Sequence, residues 1–360
     1  MNVLRANSRG LFGECALDGV TVVKVESGGS EEHVLEAFDK CKPRAFFVLA
    51  YPSKNSLAAA LEALGVLPKG GLFFVKDEDE EKRALGIARR MDKFISSKVA
   101  LLGGTASWLV SPSYGKEDFL KFLGAHVVEI NKEAIIDEFE KVKDEEVIDV
   151  VRSIKVGASR VLVSDEELFR AAKLHVALGR VFKGFKAGAI NCFPLIKDLY
   201  VTPCLSLALF NAANFPVACE GDLNSLLGMI ITYVAFGKVG GMFNLDYVED
   251  NKVALAHCTA PLTLLDQYSL VKHYETGKPL AIEGHVEPGK ASTVLRLYPG
   301  GFEALSGTTV EGPRLDACRT QIWVELEHPP DAPGNHRVWI DADDKNVLIQ
   351  VIRALGLHKA

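Results

Sequence analysis

Pro216-Val217-Ala218-Cys219-Glu220-Gly221-Asp222-Leu223-Asn224 and, further on, Gly240-Gly241-Met242-Phe243-Asn244-Leu245-Asp246 form the stretch whose reading decides the fold. Pro216 to Cys219 is short and apolar, Leu223 to Phe236 has helical spacing, and the second apolar run follows a glycine turn. Strand, helix and strand within about thirty residues predict a βαβ crossover with parallel strands. Glu220 and Asp246 then each stand just past a strand's carboxyl end, the edge at which open α/β sheets bind ligands. Two carboxylates held side by side repel, so the pair implies a shared proton or a cation. The competing role for Glu220 is to cap the helix, whose unpaired N–H groups favour a carboxylate. Asp222 lies closer to the first helical turn, so the cap is assigned to Asp222 and Glu220 is left free.

Outward from this stretch the chain keeps an α/β rhythm. Arg44 to Ala50 and Gly71 to Val75 read as buried strands around a helix from Ser56 to Leu64. Lys98 to Gly104 is a strand running into a glycine turn, followed by Trp108 and Ser111 in a polar loop. His126 to Ile130 is a strand, Lys132 to Val151 is densely charged and helical, Leu168 to Lys186 is a long helix, and Ala189 to Pro194 is a strand stopped by proline. Beyond Ala260 the pattern changes to period-two alternation in Thr293 to Tyr298, Gly301 to Val310 and Thr320 to Leu326, which predicts antiparallel β structure. Arg337 to Ala342 and Lys345 to Leu357 read as strand then helix, capped by Asp343 or Asp344. The expected fold is α/β, with two Rossmann-like parallel-sheet α/β domains and a C-terminal antiparallel β unit. Its expected divisions are 1–97, 98–260 and 261–360, the last ending in the strand and helix.

A formal net charge of -6 argues against an electrostatic grip on nucleic acid or anionic lipid. No run approaches the roughly 18–20 apolar residues that span a bilayer, so a cytoplasmic protein acting on small molecules is expected. The seven cysteines are scattered without a CxxC pair and read mostly as buried thiols, with a disulfide between some of them left open. Of the nine histidines, His257, His285, His328 and His336 fall at strand ends or in loops, where a ligand role is most natural. GxGxxG, GxxxxGK[ST] and HExxH are all missing, which removes support for nucleotide-binding and zinc-protease functions.

Val201 to Leu209, Cys219 to Asn224, Asp246, Ala256-His257-Cys258 and Gly334-Asn335-His336-Arg337-Val338 together resemble the L-fucose and L-arabinose isomerase superfamily, in particular its shorter fucose-isomerase-like members. The resemblance is strong from about Val151 to Leu357. It implies a divalent cation, usually Mn²⁺, with Mg²⁺ or Co²⁺ as alternatives, held by Glu220, Asp246 and His336. His257 matches a fourth ligand of the arabinose branch, and stands either as a ligand or just behind one. The implied activity is aldose–ketose isomerisation of a sugar through an enediolate, with Glu220 and Asp246 as the catalytic carboxylates. Trp108, Ser111, Asn335 and Arg337 are the expected substrate contacts, and a homo-oligomer, trimer or hexamer, is the expected assembly. Two other functions use the same features: a non-catalytic sugar-binding homologue, and a metal-dependent lyase or epimerase on a related polyol or sugar phosphate.

Overall fold

The computed structural model describes residues 1–358. Its first sheet runs in the order Gly10–Phe12, Asn2–Asn7, Val20–Val25, Ala45–Ala50, Gly71–Phe74, parallel throughout except for the short Gly10–Phe12 strand at one edge. Ala45–Ala50 is buried at every position, as a central parallel strand covered on both faces must be. Phe46 and Val48 point to one face and pack with Val34, Ala37, Ala59 and Ala63 of the helices Glu31–Cys41 and Ser56–Val66. Phe47 and Leu49 point to the other and join Ile87 and Met91 of helix Glu78–Asp92. The final helix, Lys345–Leu355, returns to this first sheet: the Leu72 amide donates to Gln350 Oε1 at 2.8 Å. A disulfide joins Cys15 to Cys41 at the end of the first helix.

The second sheet holds Val217–Ala218, Ala187–Ile190, Lys98–Leu102 and His126–Ile130, all parallel in that order. From Lys98–Leu102 the chain steps outward to His126–Ile130 and then returns to pair on the opposite side, which creates a topological switch point at the carboxyl end of Lys98–Leu102. The strand expected over Ala189 to Pro194 ends at Ile190, and Cys192–Leu199 is a helix. Pro194 stands in the first turn of that helix, where its missing N–H costs nothing.

The crossover expected after Leu223–Phe236 does not form. Strand Gly241–Glu249 pairs antiparallel with Lys252–His257 and Arg337–Ile340, as part of a closed six-stranded barrel completed by Ala291–Tyr298, Gly301–Val310 and Thr320–Leu326. The antiparallel unit therefore starts at Gly241, before the expected boundary at 260. The reason lies in the intervening helix, whose residues from Leu223 to Ala235 are all buried. A helix apolar on every side packs on several elements at once, and this one lies between the second sheet, the barrel and helix Lys345–Leu355. A third, small sheet combines Pro279–His285, Gln267–Lys272 and Arg160–Val161. Among the described residues no helix is long and apolar enough to cross a membrane.

Candidate metal centre

Glu220 leaves the second sheet beside the switch point, and its backbone is locked there. It adopts φ 58°, in the left-handed region, and Gly221 follows at φ 65°. Such a conformation costs a non-glycine residue roughly 1–3 kcal/mol and persists only where surrounding contacts hold it. Those contacts are present: the Ala106 amide donates to Glu220 O at 2.9 Å, the Gly221 amide to Ile190 O at 2.9 Å, and Thr105 Oγ1 to Gly221 O at 3.1 Å. A Cβ on Gly221 would lie 2.1 Å from Gly104 O, so the close passage of the two loops requires glycine. Asp222 caps helix Leu223–Phe236 as expected, Oδ1 accepting from the Ser225 amide at 2.9 Å.

Three side chains from distant parts of the chain converge on this edge. Glu220, His257 and His336 each offer a ligand atom, and the three atoms lie within 4.8 Å of one another. Glu220 Oε1 is 3.9 Å from His257 Nε2 and 3.6 Å from His336 Nε2. Ligand atoms around an ion with bonds of about 2.1 Å stand roughly 3.0–3.5 Å apart, so the set would contract to close on an ion. Both rings are already oriented by their other nitrogen: His257 Nδ1 bonds Thr259 Oγ1 at 2.9 Å, and His336 Nδ1 bonds Asp222 Oδ2 at 2.7 Å. Partners of this kind fix tautomer and ring direction in metal sites. Glu220 Oε2 in turn accepts a 2.5 Å hydrogen bond from Trp108 Nε1. The residues present fit a divalent cation.

The donor set differs from the expected one. His257, expected as a ligand or a neighbour of one, is a member of the cluster, and Asp246 is not. Gly241–Glu249 and Lys252–His257 form a hairpin in which the register shifts between Leu245 and Tyr247, a bulge that leaves Asp246 unpaired and exposed. Leu245 stands opposite Leu255, two residues short of His257, and at about 3.3 Å per residue the bulge lies at least roughly 7 Å along the barrel strand from the His257 backbone. The convergent donors are therefore one carboxylate and two imidazoles, where two carboxylates and one imidazole were expected.

The remaining expected site residues fall into place around this set. Asn335 Oδ1 accepts from the Leu245 amide at 2.9 Å and its Nδ2 donates to Asn244 Oδ1 at 2.9 Å, so it clamps the strand just before Asp246. Arg337 is 2% exposed, and its guanidinium donates to Gly334 O and Ala332 O at 2.7 Å each. It holds the loop that delivers His336, a different task from the substrate contact expected of it. Ser111 is half-buried, and its Oγ lies beside Gly334 of the same loop. Trp108 is exposed and meets Phe193 edge-on at 5.1 Å. Sequence reasoning missed Thr259, His273 and Glu275, and saw Asp222 only as a cap. The signals available were Asp222 two residues after Glu220 and Thr259 two residues after His257. Nothing in the local sequence of His273 and Glu275 points to the site.

Electrostatics distinguish the groups. Burial lowers the His257 and His273 imidazoles to about 4, although the Glu220 charge opposes the shift in both. Burial acts the same way on His336, but its hydrogen bonds to Asp222 and Glu220, with their charges, outweigh it and raise the imidazole to about 9. Burial alone would raise Glu220 and Asp222, yet the bonds and charge of His336 hold both below the ordinary carboxylate range. Partial desolvation raises the Asp246 carboxyl. Glu275 is raised as well, by desolvation and then by the charges of Glu220 and Asp246.

No protein-family model matches the chain, and no curated protein matches it at a significant level.

Proposed function

We propose that the chain is a divalent-metal-dependent aldose–ketose isomerase that works through an enediolate. The observation that carries this reading is the convergence of Glu220, His257 and His336 at a sheet edge. The resemblance to the L-fucose and L-arabinose isomerases supports the same conclusion. One carboxylate and two imidazoles suit a first-row transition-metal dication, Mn²⁺ or Co²⁺ as well as Fe²⁺ or Zn²⁺, whereas Mg²⁺ prefers oxygen ligands throughout. Held by Glu220, His257 and His336, a divalent cation would supply Lewis acidity to polarise the substrate carbonyl.

The chain's own residues divide the remaining work. Glu220 is committed on both oxygens, one to the imidazoles and one to Trp108, so it positions and does not take a proton. Among the described residues Asp246 has no hydrogen-bond or ion-pair partner, and its raised carboxyl is better matched to proton transfer near neutral pH than an ordinary aspartate. It removes the proton from the hydroxyl-bearing carbon and returns it to the adjacent carbon. Glu275 relays a proton between the two oxygens, and Asn335 holds the strand that presents Asp246. The face of Trp108, pinned through its indole N–H, is the stacking surface for the sugar ring or chain. Exposed Trp108 and Val110 on one loop support an assembly in which this loop meets a second copy.

Incubating Mn²⁺-loaded protein with a panel of aldoses in deuterated water tests the proposal. Ketose formation with deuterium uptake, lost in metal-stripped protein and in Glu220→Gln, is the expected result. Uptake without ketose indicates an epimerase or lyase, and no uptake a binding protein. Full activity in Glu220→Gln would overturn the role of the metal centre.

A further inference from the structure

The five cysteines outside the Cys15–Cys41 disulfide gather beside the metal-ligand cluster. Cys219 precedes Glu220, and Cys258 follows His257. Cys204 and Cys258 share a small apolar cluster with Val271 and Ala281, against which Cys318 packs. Cys192 and Cys219 meet with their sulfurs 2.6 Å apart. Non-bonded heavy atoms normally stand roughly 3.5–4 Å apart, and a disulfide measures about 2.05 Å. The proximity follows from the fold: Ala187–Ile190 and Val217–Ala218 are parallel neighbours, and each cysteine follows its strand's carboxyl end. The two side chains, 2% and 6% exposed, therefore meet under the loop that holds Glu220. Neither has a part in the proposed reaction.

We propose that Cys192 and Cys219 are an oxidisable dithiol pair, which closes into a disulfide and so fixes the strand end that carries Glu220. The oxidant is a small-molecule disulfide. One thiolate of the pair attacks one sulfur of the reagent and displaces a thiolate; the other then attacks the protein sulfur of the mixed disulfide and displaces the second. Two protein thiols are oxidised, the reagent is reduced to two thiols, and the two thiol protons pass to the departing thiolates. The bond ties the first residue of helix Cys192–Leu199 to the residue before Glu220. A ligand held before the ion arrives loses less freedom on binding, so the oxidised form binds Mn²⁺ more tightly.

The inference rests on Glu220 being a metal ligand and not on the isomerase reaction. Full-length protein is incubated with oxidised glutathione or with a reductant, free thiols are alkylated in denaturant, and peptides are mapped by mass spectrometry. In parallel, Mn²⁺ binding to both forms is titrated by electron paramagnetic resonance. The expected results are a Cys192–Cys219 linked peptide and an affinity about threefold or more higher in the oxidised form, reversed by reductant and lost in Cys192→Ala. Recovery of both cysteines alkylated, or of Cys219 linked to Cys204, would overturn the pair. A Cys192–Cys219 bond with unchanged Mn²⁺ affinity would overturn its action on Glu220. Failure of both forms to bind Mn²⁺ overturns the metal reading and with it the link to Glu220, while the peptide map still decides the disulfide.

Discussion

Asp222→Asn separates two roles that one carboxylate now fills. Asp222 caps helix Leu223–Phe236 through Oδ1, while Oδ2 accepts from His336 Nδ1 at 2.7 Å and from Ser225 Oγ at 2.6 Å. Asparagine keeps an oxygen for the cap but loses the charge that faces His336. Loss of such an orienting partner weakens metal binding by about 10–100-fold, or about 1.4–2.7 kcal/mol. The same charge, however, helps to raise the imidazole to about 9, so at pH 7 a proton competes with the metal. That competition weakens apparent binding by about 100-fold in the wild type, and it nearly vanishes in the variant, whose imidazole falls back toward its ordinary value. The two effects oppose each other at pH 7 and only the first survives above pH 9. Mn²⁺ titrations at pH 7 and pH 9.5 should therefore show affinities within a few-fold of each other at the lower pH, and a 10–100-fold deficit for the variant at the higher. A deficit of the same size at both pH values, or none at either, would refute the coupling of Asp222 to His336.

Asp246→Asn should lower isomerase turnover by about 100- to 10,000-fold while leaving Mn²⁺ affinity within a few-fold, and parallel losses of both would return Asp246 to the ligand set. Gly221→Ala, which places a Cβ 2.1 Å from Gly104 O at φ 65°, should destabilise the fold by more than about 1 kcal/mol; a thermal melt matching the wild type would show that the loop is not locked. Trp108→Phe removes the hydrogen bond that holds Glu220 Oε2 and should weaken Mn²⁺ binding about tenfold, as read by calorimetry. The metal-free protein should be most stable near pH 6.5. The depressed imidazoles of His175, His257 and His273 contribute stability that is present above their unfolded value and is lost as pH falls toward about 4. The raised His336 contributes stability that is present below its unfolded value and is lost as pH rises through about 9. Thermal melts across pH 4–9.5, an interval set by these shifts, check both limbs, and a midpoint that rises steadily from pH 6.5 to 9 would contradict the second.

The sequence by itself determined the local elements around the site. Helical spacing from Leu223 to Phe236 corresponds to the observed helix, the cap belongs to Asp222 because its short side chain reaches the Ser225 amide, and period-two alternation marks the strands from Ala291 to Leu326. The strand-end position of Glu220 was legible for the same reason: a short apolar run ending in a polar turn has few other structures open to it. Tertiary structure alone decided which strands pair. Met242-Phe243-Asn244-Leu245 is as apolar as a parallel-sheet strand, and only its neighbours in space, Lys252–His257 and Arg337–Ile340, make it antiparallel and part of a barrel. That pairing, with the bulge beyond Leu245, keeps Asp246 out of the set of convergent donors, while His257 swings in beside Glu220. A strand's alternation encodes which face each side chain takes, but not the partner strand, and the partner sets where along the edge a carboxylate or an imidazole arrives.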